Sequence, residues 1–258
     1  MLEFVKETAL QAGQKCLQAA EQMDRVEIAY KGAIDLVTSV DREVERFIRG
    51  EIERKFPAHQ VVGEEDGESG TSGTYRWFID PIDGTNSFIH GLPGFCVSIS
   101  CEKDGEPEVA AIYAPVLKQL FSAERGAGAY LNGEKLQVTT CTRLIESIWA
   151  TGFACVRGNL EKNNLDNFSR ILPEIRDFRR MGSAALDLAW VAAGRLDGYW
   201  ELGVNRYDVS AGILLVEEAG GSVCDMSGAK RYPEDGIVAS NGYLTESFLS
   251  VLRNGDSG

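Results

Sequence analysis

The segment that decides the fold is residues 77–85, Trp-Phe-Ile-Asp-Pro-Ile-Asp-Gly-Thr. Its first three residues predict a buried strand, Pro81 predicts an end to regular strand pairing, and Gly84 permits a tight turn. We therefore expect Asp80 and Asp83 at a rigid corner directly after the strand. Two carboxylates held this close together need a cation between them, so the corner is a candidate metal site.

The composition predicts a globular protein with a sizeable core. The chain has 258 residues, of which 44% are hydrophobic, enough for one large domain or two lobes. Its 26 basic and 39 acidic residues give a net charge of −13, and the lack of a basic run argues against nucleic acid or an anionic membrane as a partner. There is no apolar stretch of about 20 residues and no signal-peptide pattern, so we expect a cytoplasmic protein.

Cysteine and histidine are not spaced for metal binding. The six cysteines occur singly, without a Cys-x-x-Cys pair or a histidine at zinc spacing. We therefore expect buried, reduced thiols. His59 and His90 are the only histidines, and we expect His90 in a loop.

Hydrophobic periodicity predicts two amphipathic helices near the N-terminus, at about 2–23 and 40–56. Residues 34–38 read as the connector that precedes the second helix, which places Asp41 in its first turn. The acidic, glycine-rich residues 63–73 are expected to form a mobile loop.

The middle of the chain changes to a β pattern. Apolar segments follow one another at 95–100, 109–114, 120–123 and 129–131, and the last is followed by an Asn132-Gly133 turn. Because strand follows strand, we expect an antiparallel sheet rather than a Rossmann alternation.

Helices and strands alternate again after residue 144. The expected elements are a strand at 147–151, a helix at 160–172, a helix at 183–193, a strand at 197–201 and a helix at 209–218 opened by Asp208. We therefore predict an α+β fold in one domain, 1–258, with two tightly joined lobes at about 1–143 and 144–258.

Four acidic residues lie at the ends of predicted elements: Glu64, Asp80, Asp83 and Asp208. All offer oxygen ligands, which suit Mg²⁺ or Mn²⁺ better than Zn²⁺. Two such ions about 3.5–4 Å apart could hold a phosphate and activate a water molecule. This pattern favours hydrolysis of a phosphate ester.

Each of these residues also has a structural explanation when it is taken alone. Asp208 is a favoured helix N-cap, and the acidic run at 64–66 is typical of a solvated loop. Asp80 and Asp83 suit a turn, and Thr85 could cap the helix that follows it. Spacing alone does not show that these residues converge.

A resemblance to a known family indicates that these residues converge on one site. Residues 77–88 strongly resemble the signature of the inositol monophosphatase family, W-x-x-D-P-[IL]-D-G-T-x-x-F. Residues 35–41 resemble its D-x-V-T-x-x-D segment, residues 63–65 its G-E-E loop, and residues 207–221 its W-D-x-A-A-G and E-A-G-G motifs. The similarity runs from about residue 31 to 242. It implies a layered αβαβα sandwich of the inositol monophosphatase and fructose-1,6-bisphosphatase type.

The resemblance also implies a set of metal ligands. Glu64, Asp80 and the backbone carbonyl of Ile82 would bind one Mg²⁺. Asp80, Asp83 and Asp208 would bind a second, and a weaker third ion is implied for parts of the family. Mn²⁺ is an alternative to Mg²⁺.

The catalytic and substrate residues follow from the same resemblance. Thr85, paired with Asp41, would orient a metal-activated water for direct in-line attack, with Glu64 as the third catalytic residue. The substrate-binding residues it implies are Asp83, Gly84, Thr85, Ala184, Glu201 and Asp208.

The departures from the family pattern concern the substrate more than the chemistry. Tyr207 stands where the family has Trp, and keeps an aromatic side chain beside the site. Myo-inositol monophosphate is the leading expected substrate, because Glu201 matches the glutamate that binds sugar hydroxyls. Arg179 and Arg180 could serve a second phosphate or lie on the surface, so fructose 1,6-bisphosphate stays open. Histidinol phosphate and 3′-phosphoadenosine 5′-phosphate are further family substrates.

The predicted function is thus a Mg²⁺-dependent phosphatase acting on a small phosphorylated polyol or sugar, with no nucleic-acid or membrane partner. Inhibition by Li⁺ and a homodimer are expected from the resemblance. The alternative from another class is a non-catalytic regulator that acts through protein contacts.

Overall fold

A computed structural model describes residues 1–23, 26–31, 35–71, 73–158, 160–161 and 163–253 of the chain. The described residues contain eight α-helices: α1 Leu2–Ala20, α2 Ser39–Lys55, α3 Thr85–Ile89, α4 Ala154–Arg157, α5 Leu165–Ile171, α6 Ala184–Ala192, α7 Arg206–Glu218 and α8 Thr245–Arg253. Short 3₁₀ turns occur at Leu144–Glu146 and Leu172–Glu174. None of these helices is long and apolar enough to span a membrane.

The first half of the chain forms a large sheet and a separate two-stranded ribbon. The ribbon pairs β1 Ile28–Lys31 with β2 Asp35–Thr38 in antiparallel fashion. The sheet has eight strands, which lie in the spatial order β10 Glu134–Lys135, β9 Gly128–Leu131, β8 Gln119–Glu124, β7 Glu106–Ala114, β6 Cys96–Lys103, β5 Tyr75–Asp83, β3 Gln60–Gly63 and β4 Gly67–Ser69. All of its pairs are antiparallel except β3 with β5. The expected antiparallel sheet is thus present, with one parallel pair beside the acidic corner.

The second half forms a five-stranded mixed sheet. Its spatial order is β12 Asp177–Arg179, β11 Ile148–Thr151, β13 Gly198–Glu201, β15 Ile237–Ser240 and β14 Ser222–Cys224. Strand β11 pairs in parallel with both neighbours, and β15 pairs antiparallel with both of its own.

Helices and sheets stack in five layers. Helices α1 and α2 pack on the outer face of the large sheet, where an apolar core includes Val44, Trp77 and Ile99. Helices α6 and α7 fill the space between the two sheets, around Leu186 and Leu214. Helices α5 and α8 cover the far face of the second sheet. The order helix, sheet, helix, sheet, helix confirms the predicted layered α+β sandwich.

The acidic corner differs in one respect from the prediction. Strand β5 continues through Pro81 to Asp83, and the register against β6 shifts between Asp80 and Asp83. Proline cannot donate to the ladder, so the strand bulges there instead of ending. The bulge thus lies between the two aspartates of the corner.

The prediction of a loop at 63–73 is wrong for residues 63–69, which belong to two paired strands and the turn between them. Strands β3 and β4 pair antiparallel across a tight turn, with Val61 opposite Ser69 and Gly63 opposite Gly67. The segment is therefore a short hairpin at the edge of the large sheet. Ser72, in the same predicted loop, lies outside the described residues.

Two predicted element boundaries also change. The helix expected at 160–172 begins only at Leu165, and a separate turn of helix, α4, precedes it. The connector at 34–38 is largely strand β2, although its first residue, Ile34, lies outside the described residues.

The histidines and cysteines have structural surroundings. His59 stacks between Phe56 and Tyr75 and accepts a hydrogen bond from Trp77 Nε1 at 3.0 Å. His90 follows the end of α3 as its C-cap. All six cysteines are unpaired, and five of them are buried. These residues support packing rather than a metal centre.

Candidate active site

A cleft of about 470 Å³ opens where the β5 corner meets the N-termini of α6 and α7 and the end of β13. Every predicted metal-binding and substrate-binding residue lines it: Glu64, Asp80, Ile82, Asp83, Gly84, Thr85, Ala184, Glu201 and Asp208. Asp41, the remaining predicted site residue, is fully buried behind Thr85. The fold thus brings together residues that are up to 144 positions apart (208 minus 64) in the chain.

The two aspartates of the corner are fixed by hydrogen bonds. Asp80 Oδ1 accepts from the backbone N–H of Ile82 at 3.0 Å. Asp83 Oδ2 accepts from Ser183 Oγ at 2.8 Å and from the N–H of Ala185 at 2.6 Å. The second pair ties the corner to the start of α6. Both carboxylates are therefore held in place before any ligand arrives.

Asp208 and Glu64 approach the corner from other elements. Asp208 lies in the first turn of α7 and accepts from the N–H of Asn205, the N-cap, at 2.6 Å. The alternative that Asp208 is itself the N-cap is therefore wrong. Glu64 directly follows β3, and its N–H donates to the carbonyl of Ile79 in the parallel neighbour β5 at 3.3 Å.

The concentration of acid raises the pKa of the aspartyl groups. Burial is the main cause, and the negative charges of neighbouring carboxylates, Glu64 among them, add to it. The pKa values of Asp80 and Asp208 lie well above the usual range, and that of Asp83 rises to about 7. Carboxylates that repel one another in a buried site are stabilised by an added cation.

The donor set fits a hard divalent cation in type and charge. It consists of carboxylate oxygens and the Ile82 carbonyl, which are the ligands that Mg²⁺ and Mn²⁺ prefer. No group of three or more His, Cys, Asp or Glu side chains in the described part of the chain already has a geometry that could hold an ion. The acids therefore line a common space without forming a closed cage.

Thr85 connects the cleft to the buried Asp41. Thr85 Oγ1 lies 3.3 Å from Asp41 Oδ1 and 3.1 Å from the carbonyl oxygen of Ile82. The other oxygen of Asp41 accepts from Thr38 N–H at 2.8 Å and Thr38 Oγ1 at 2.5 Å. Burial raises the pKa of Asp41. Thr85 is the first residue of α3, and Gly84, with φ of 99°, is its N-cap, so the alternative that Thr85 is a cap is wrong.

Glu201 closes the far end of the cleft. Its carboxylate accepts from the Tyr199 hydroxyl at 2.6 Å and from the N–H of Ala154 at 3.3 Å. It lies against the backbone of Gly152, where an added Cβ would be only 2.1 Å from either carboxylate oxygen. Ala184, at the start of α6, forms the adjacent wall.

The two arginines before α6 have different surroundings. Arg179 forms an ion pair with Asp177 at 2.6 Å and does not line the cleft. Arg180 does line it, and its Nη1 lies 3.0 Å from the position that a Cβ on Gly182 would occupy. Of the two arginines, Arg180 is the one that offers a positive charge to a ligand in the cleft.

Asp187 also lines the cleft, although it was not among the predicted site residues. It is almost completely buried in the first turn of α6, and its Oδ1 has no hydrogen-bond partner in the described structure. Burial and the nearby charges of Asp83 and Glu201 raise its pKa well above the usual range. An acidic residue four positions after the Ser183 cap was the available signal.

Comparison with known proteins places this geometry in a family. The model of the inositol monophosphatase family matches residues 1–256. The chain is 43% identical over 256 residues to the Nus factor SuhB of Escherichia coli (strain K12), covering 98% of this chain and 96% of that protein. It is 35% identical over 255 residues to the inositol-1-monophosphatase of Mesorhizobium japonicum, with the same coverage.

Solved structures give the same result. The extragenic suppressor protein suhB from Bartonella henselae superposes with a TM-score of 0.93 at 35% identity and covers 98% of each chain. The inositol monophosphatase from Anabaena superposes with a TM-score of 0.88 at 36% identity, covering 98% of this chain and 95% of that one. With this agreement in sequence and in fold along nearly its whole length, the chain belongs to the inositol monophosphatase family.

Proposed function

We propose that this protein is a Mg²⁺-dependent phosphatase that hydrolyses a small phosphate monoester, with myo-inositol monophosphate as the leading substrate. The observation that carries the proposal is one cleft lined by Glu64, Asp80, Asp83, Asp208 and Glu201, with Thr85 hydrogen-bonded to Asp41 behind it. The family is generally metal-dependent, and some relatives are named inositol-1-monophosphatases.

The acidic side chains are the proposed cation ligands. Glu64, Asp80 and the Ile82 carbonyl would hold one ion, and Asp80, Asp83 and Asp208 a second. When bound, the cations would supply charge neutralisation for the phosphate and a more reactive water. Without them, a dianionic ester would enter a cleft dominated by negative charge, which is unfavourable.

Thr85 and Asp41 are the proposed residues that orient the attacking water. Asp41 accepts a hydrogen bond from the Thr85 hydroxyl, which leaves the lone pairs of the Thr85 oxygen to accept a hydrogen bond from water. The backbone N–H groups of Gly84 and Thr85 would face the phosphate. Positioning of this kind suits phosphoryl transfer, in which negative charge spreads over the phosphoryl oxygens.

The alcohol end of the substrate would lie between Ala184 and Glu201. The Glu201 carboxylate would accept hydrogen bonds from polyol hydroxyls, while Tyr199 and Ala154 fix its position. Fructose 1,6-bisphosphate is an alternative or additional substrate, because Arg180 lines the cleft and could pair with its second phosphate. Histidinol phosphate and 3′-phosphoadenosine 5′-phosphate remain further alternatives without a distinguishing contact.

Phosphate release over these four substrates, with Mg²⁺ or with EDTA, tests the proposal. We expect Mg²⁺-dependent release, highest with inositol 1-phosphate, and a loss of at least about 100-fold in Asp83→Asn because a charged cation ligand is removed. The matched control is Asp104→Asn, since Asp104 lies in an exposed turn with φ of 52° that asparagine also adopts. Metal-independent release, or equal activity of the two variants, would contradict the proposal.

A protein-binding role in transcription is the second candidate function. It is favoured by the relatives at 43% identity that are named Nus factor SuhB. Expression of wild type and Asp83→Asn in an E. coli strain lacking SuhB separates the two roles. Complementation of this strain by both proteins would favour protein binding. Complementation by the wild type alone would favour catalysis.

Three further expectations from the family resemblance belong to the same proposal. They are a homodimer in solution, inhibition by Li⁺ and a cytoplasmic location. Light scattering after gel filtration checks the first, and a Li⁺ titration of phosphate release checks the second.

A further inference from the structure

Helix α2 carries a row of buried charged residues that the proposed chemistry uses only in part. Asp41, Glu45 and Arg49 are spaced four residues apart, so they lie on one face of the helix. Asp41 and Glu45 are fully buried, and Arg49 is nearly so. A helix face packed on a sheet is normally apolar. Asp41 belongs to the cleft, which leaves Glu45 and Arg49 to be explained.

Glu45 contacts the chain on both sides of Glu64. One of its carboxylate oxygens accepts from the N–H of Glu65 at 2.7 Å, and the other from the N–H of Asp66 at 2.9 Å. On the other side, the carboxylate lies so close to Gly63 that a Cβ there would be 2.1 Å from Oε1. The peptide backbone around Glu64 is therefore fixed by a side chain from another element.

Arg49 contacts the rest of the hairpin. It forms an ion pair with Glu45 at 2.9 Å and thereby supplies a counter-charge to the buried carboxylate. The same guanidinium donates to the carbonyl of Gly67 at 2.8 Å and to Ser69 Oγ at 2.5 Å. Its planar fork suits several acceptors at once.

We propose that Glu45 and Arg49 are positioning residues that pre-order the β3–β4 hairpin and thereby hold Glu64 at the cleft before any cation binds. The proposal rests on the proposed function, in which Glu64 is a cation ligand. A ligand that is already ordered loses less conformational entropy on binding, so the cation binds more tightly. Residues that fix a metal ligand typically change metal affinity by about 10–100-fold when they are replaced.

The experiment uses the full chain carrying Glu45→Gln, with Glu51→Gln as the matched control. Glu51 lies on the same helix and pairs with Arg54, away from the hairpin. Hydrogen exchange of the amides at 64–69 is measured in EDTA, and Mg²⁺ binding is measured by calorimetry without substrate. We expect faster exchange and about tenfold weaker Mg²⁺ binding in Glu45→Gln, and wild-type values of both in Glu51→Gln.

Arg49→Lys provides a second variant in case Glu45→Gln does not fold. Lysine keeps the charge beside Glu45 but lacks the fork that reaches both Gly67 and Ser69. We expect faster exchange at 67–69 and a smaller loss of Mg²⁺ affinity than in Glu45→Gln.

Unchanged hairpin exchange in a folded Glu45→Gln would overturn the proposal. So would a lower melting temperature with wild-type Mg²⁺ affinity, since that pattern is expected of a purely structural pair. These readouts use no substrate, so a wild type that binds Mg²⁺ but hydrolyses no ester would contradict the proposed function and leave the hairpin result intact.

Discussion

Asp187 is a buried residue of the cleft to which the proposed chemistry gives no role. Its Oδ1 has no hydrogen-bond partner in the described structure, and Asp83 and Glu201 add negative charge around it. A buried polar atom without a partner costs about 1–3 kcal/mol. Its ionised form is the costlier one, because burial and like charges both oppose it.

Replacing Asp187 with asparagine should therefore stabilise the metal-free protein at high pH. Because the folded-state pKa of Asp187 is raised, this group costs the wild type stability as pH rises above its unfolded pKa, and the variant lacks that one contribution. We expect a gain in the free energy of unfolding near pH 8, where the wild-type group pays for ionisation, and a smaller difference near pH 5. Urea denaturation at both pH values measures it, and a gain that is equal at both would argue against this account.

At the scale of elements, α2 depends on the capping box at its start. Thr38 Oγ1 accepts from the N–H groups of Val40 and Asp41, and the Asp41 carboxylate accepts in return from the N–H of Thr38. The arrangement satisfies N–H groups that would lack partners in a buried helix end. It also fixes the carboxylate that holds Thr85.

Thr38→Ala should destabilise the protein by about 1–2 kcal/mol, because the cap is lost in a buried position. Thr38→Ser is the control, since serine keeps the hydroxyl and should lose much less. The midpoint of urea unfolding, at an unchanged denaturant slope, reports the difference. Equal midpoints for the two variants would show that the cap contributes little.

An element was predictable when the residues that determine it lie close together in the sequence. The strands at 95–131 were recognised because short apolar segments and the Asn132-Gly133 turn are local features, and both turn residues indeed have positive φ. The 63–69 hairpin was mistaken for a mobile loop because Glu45 and Arg49, which order it, come from a distant helix. Composition alone could not show those contacts.

At the scale of the whole molecule, the cleft joins the two halves of the chain. The corner at Asp80 and Asp83 comes from the large sheet, whereas Glu201 and Asp208 come from β13 and α7 in the second half. Acidic groups from both halves therefore meet at one junction. Their mutual repulsion opposes folding unless protons or cations offset it.

The stability of the metal-free protein should consequently fall as pH rises. The folded-state pKa of Asp83 is about 7 against an ordinary value of 3.8, and those of Asp80 and Asp208 are also raised. At pH values between the unfolded-state and folded-state pKa of these groups, the folded state binds more protons than the unfolded state. Stability therefore increases from about pH 8 down to about pH 5.

Melting curves in EDTA across this pH range measure the trend, and excess Mg²⁺ should raise the melting temperature most at pH 8. Asp187→Asn should retain most of the trend, because the other acids are unchanged. A melting temperature in EDTA that rises with pH would contradict the prediction.

The composition of the cleft was predictable, and its supporting contacts were not. Motif resemblance led to Glu64, Asp80, Asp83 and Asp208, all of which line the cleft. The partners of the three aspartates are backbone N–H groups and a hydroxyl, such as Ala185 N–H and Ser183 Oγ beside Asp83. A backbone N–H group occurs at almost every residue, so sequence alone does not mark the ones that bind.

The contact between Gly152 and Glu201 couples these two positions of the cleft. Any side chain at position 152 would displace the carboxylate, because even a methyl carbon would lie 2.1 Å from its oxygens. Single replacements of Gly152 should therefore move the Glu201 carboxylate from its present position, and a shorter residue at 201 should make room for a side chain at 152. The two positions form one coupled unit for directed evolution, and a library that varies them separately would miss the altered pockets.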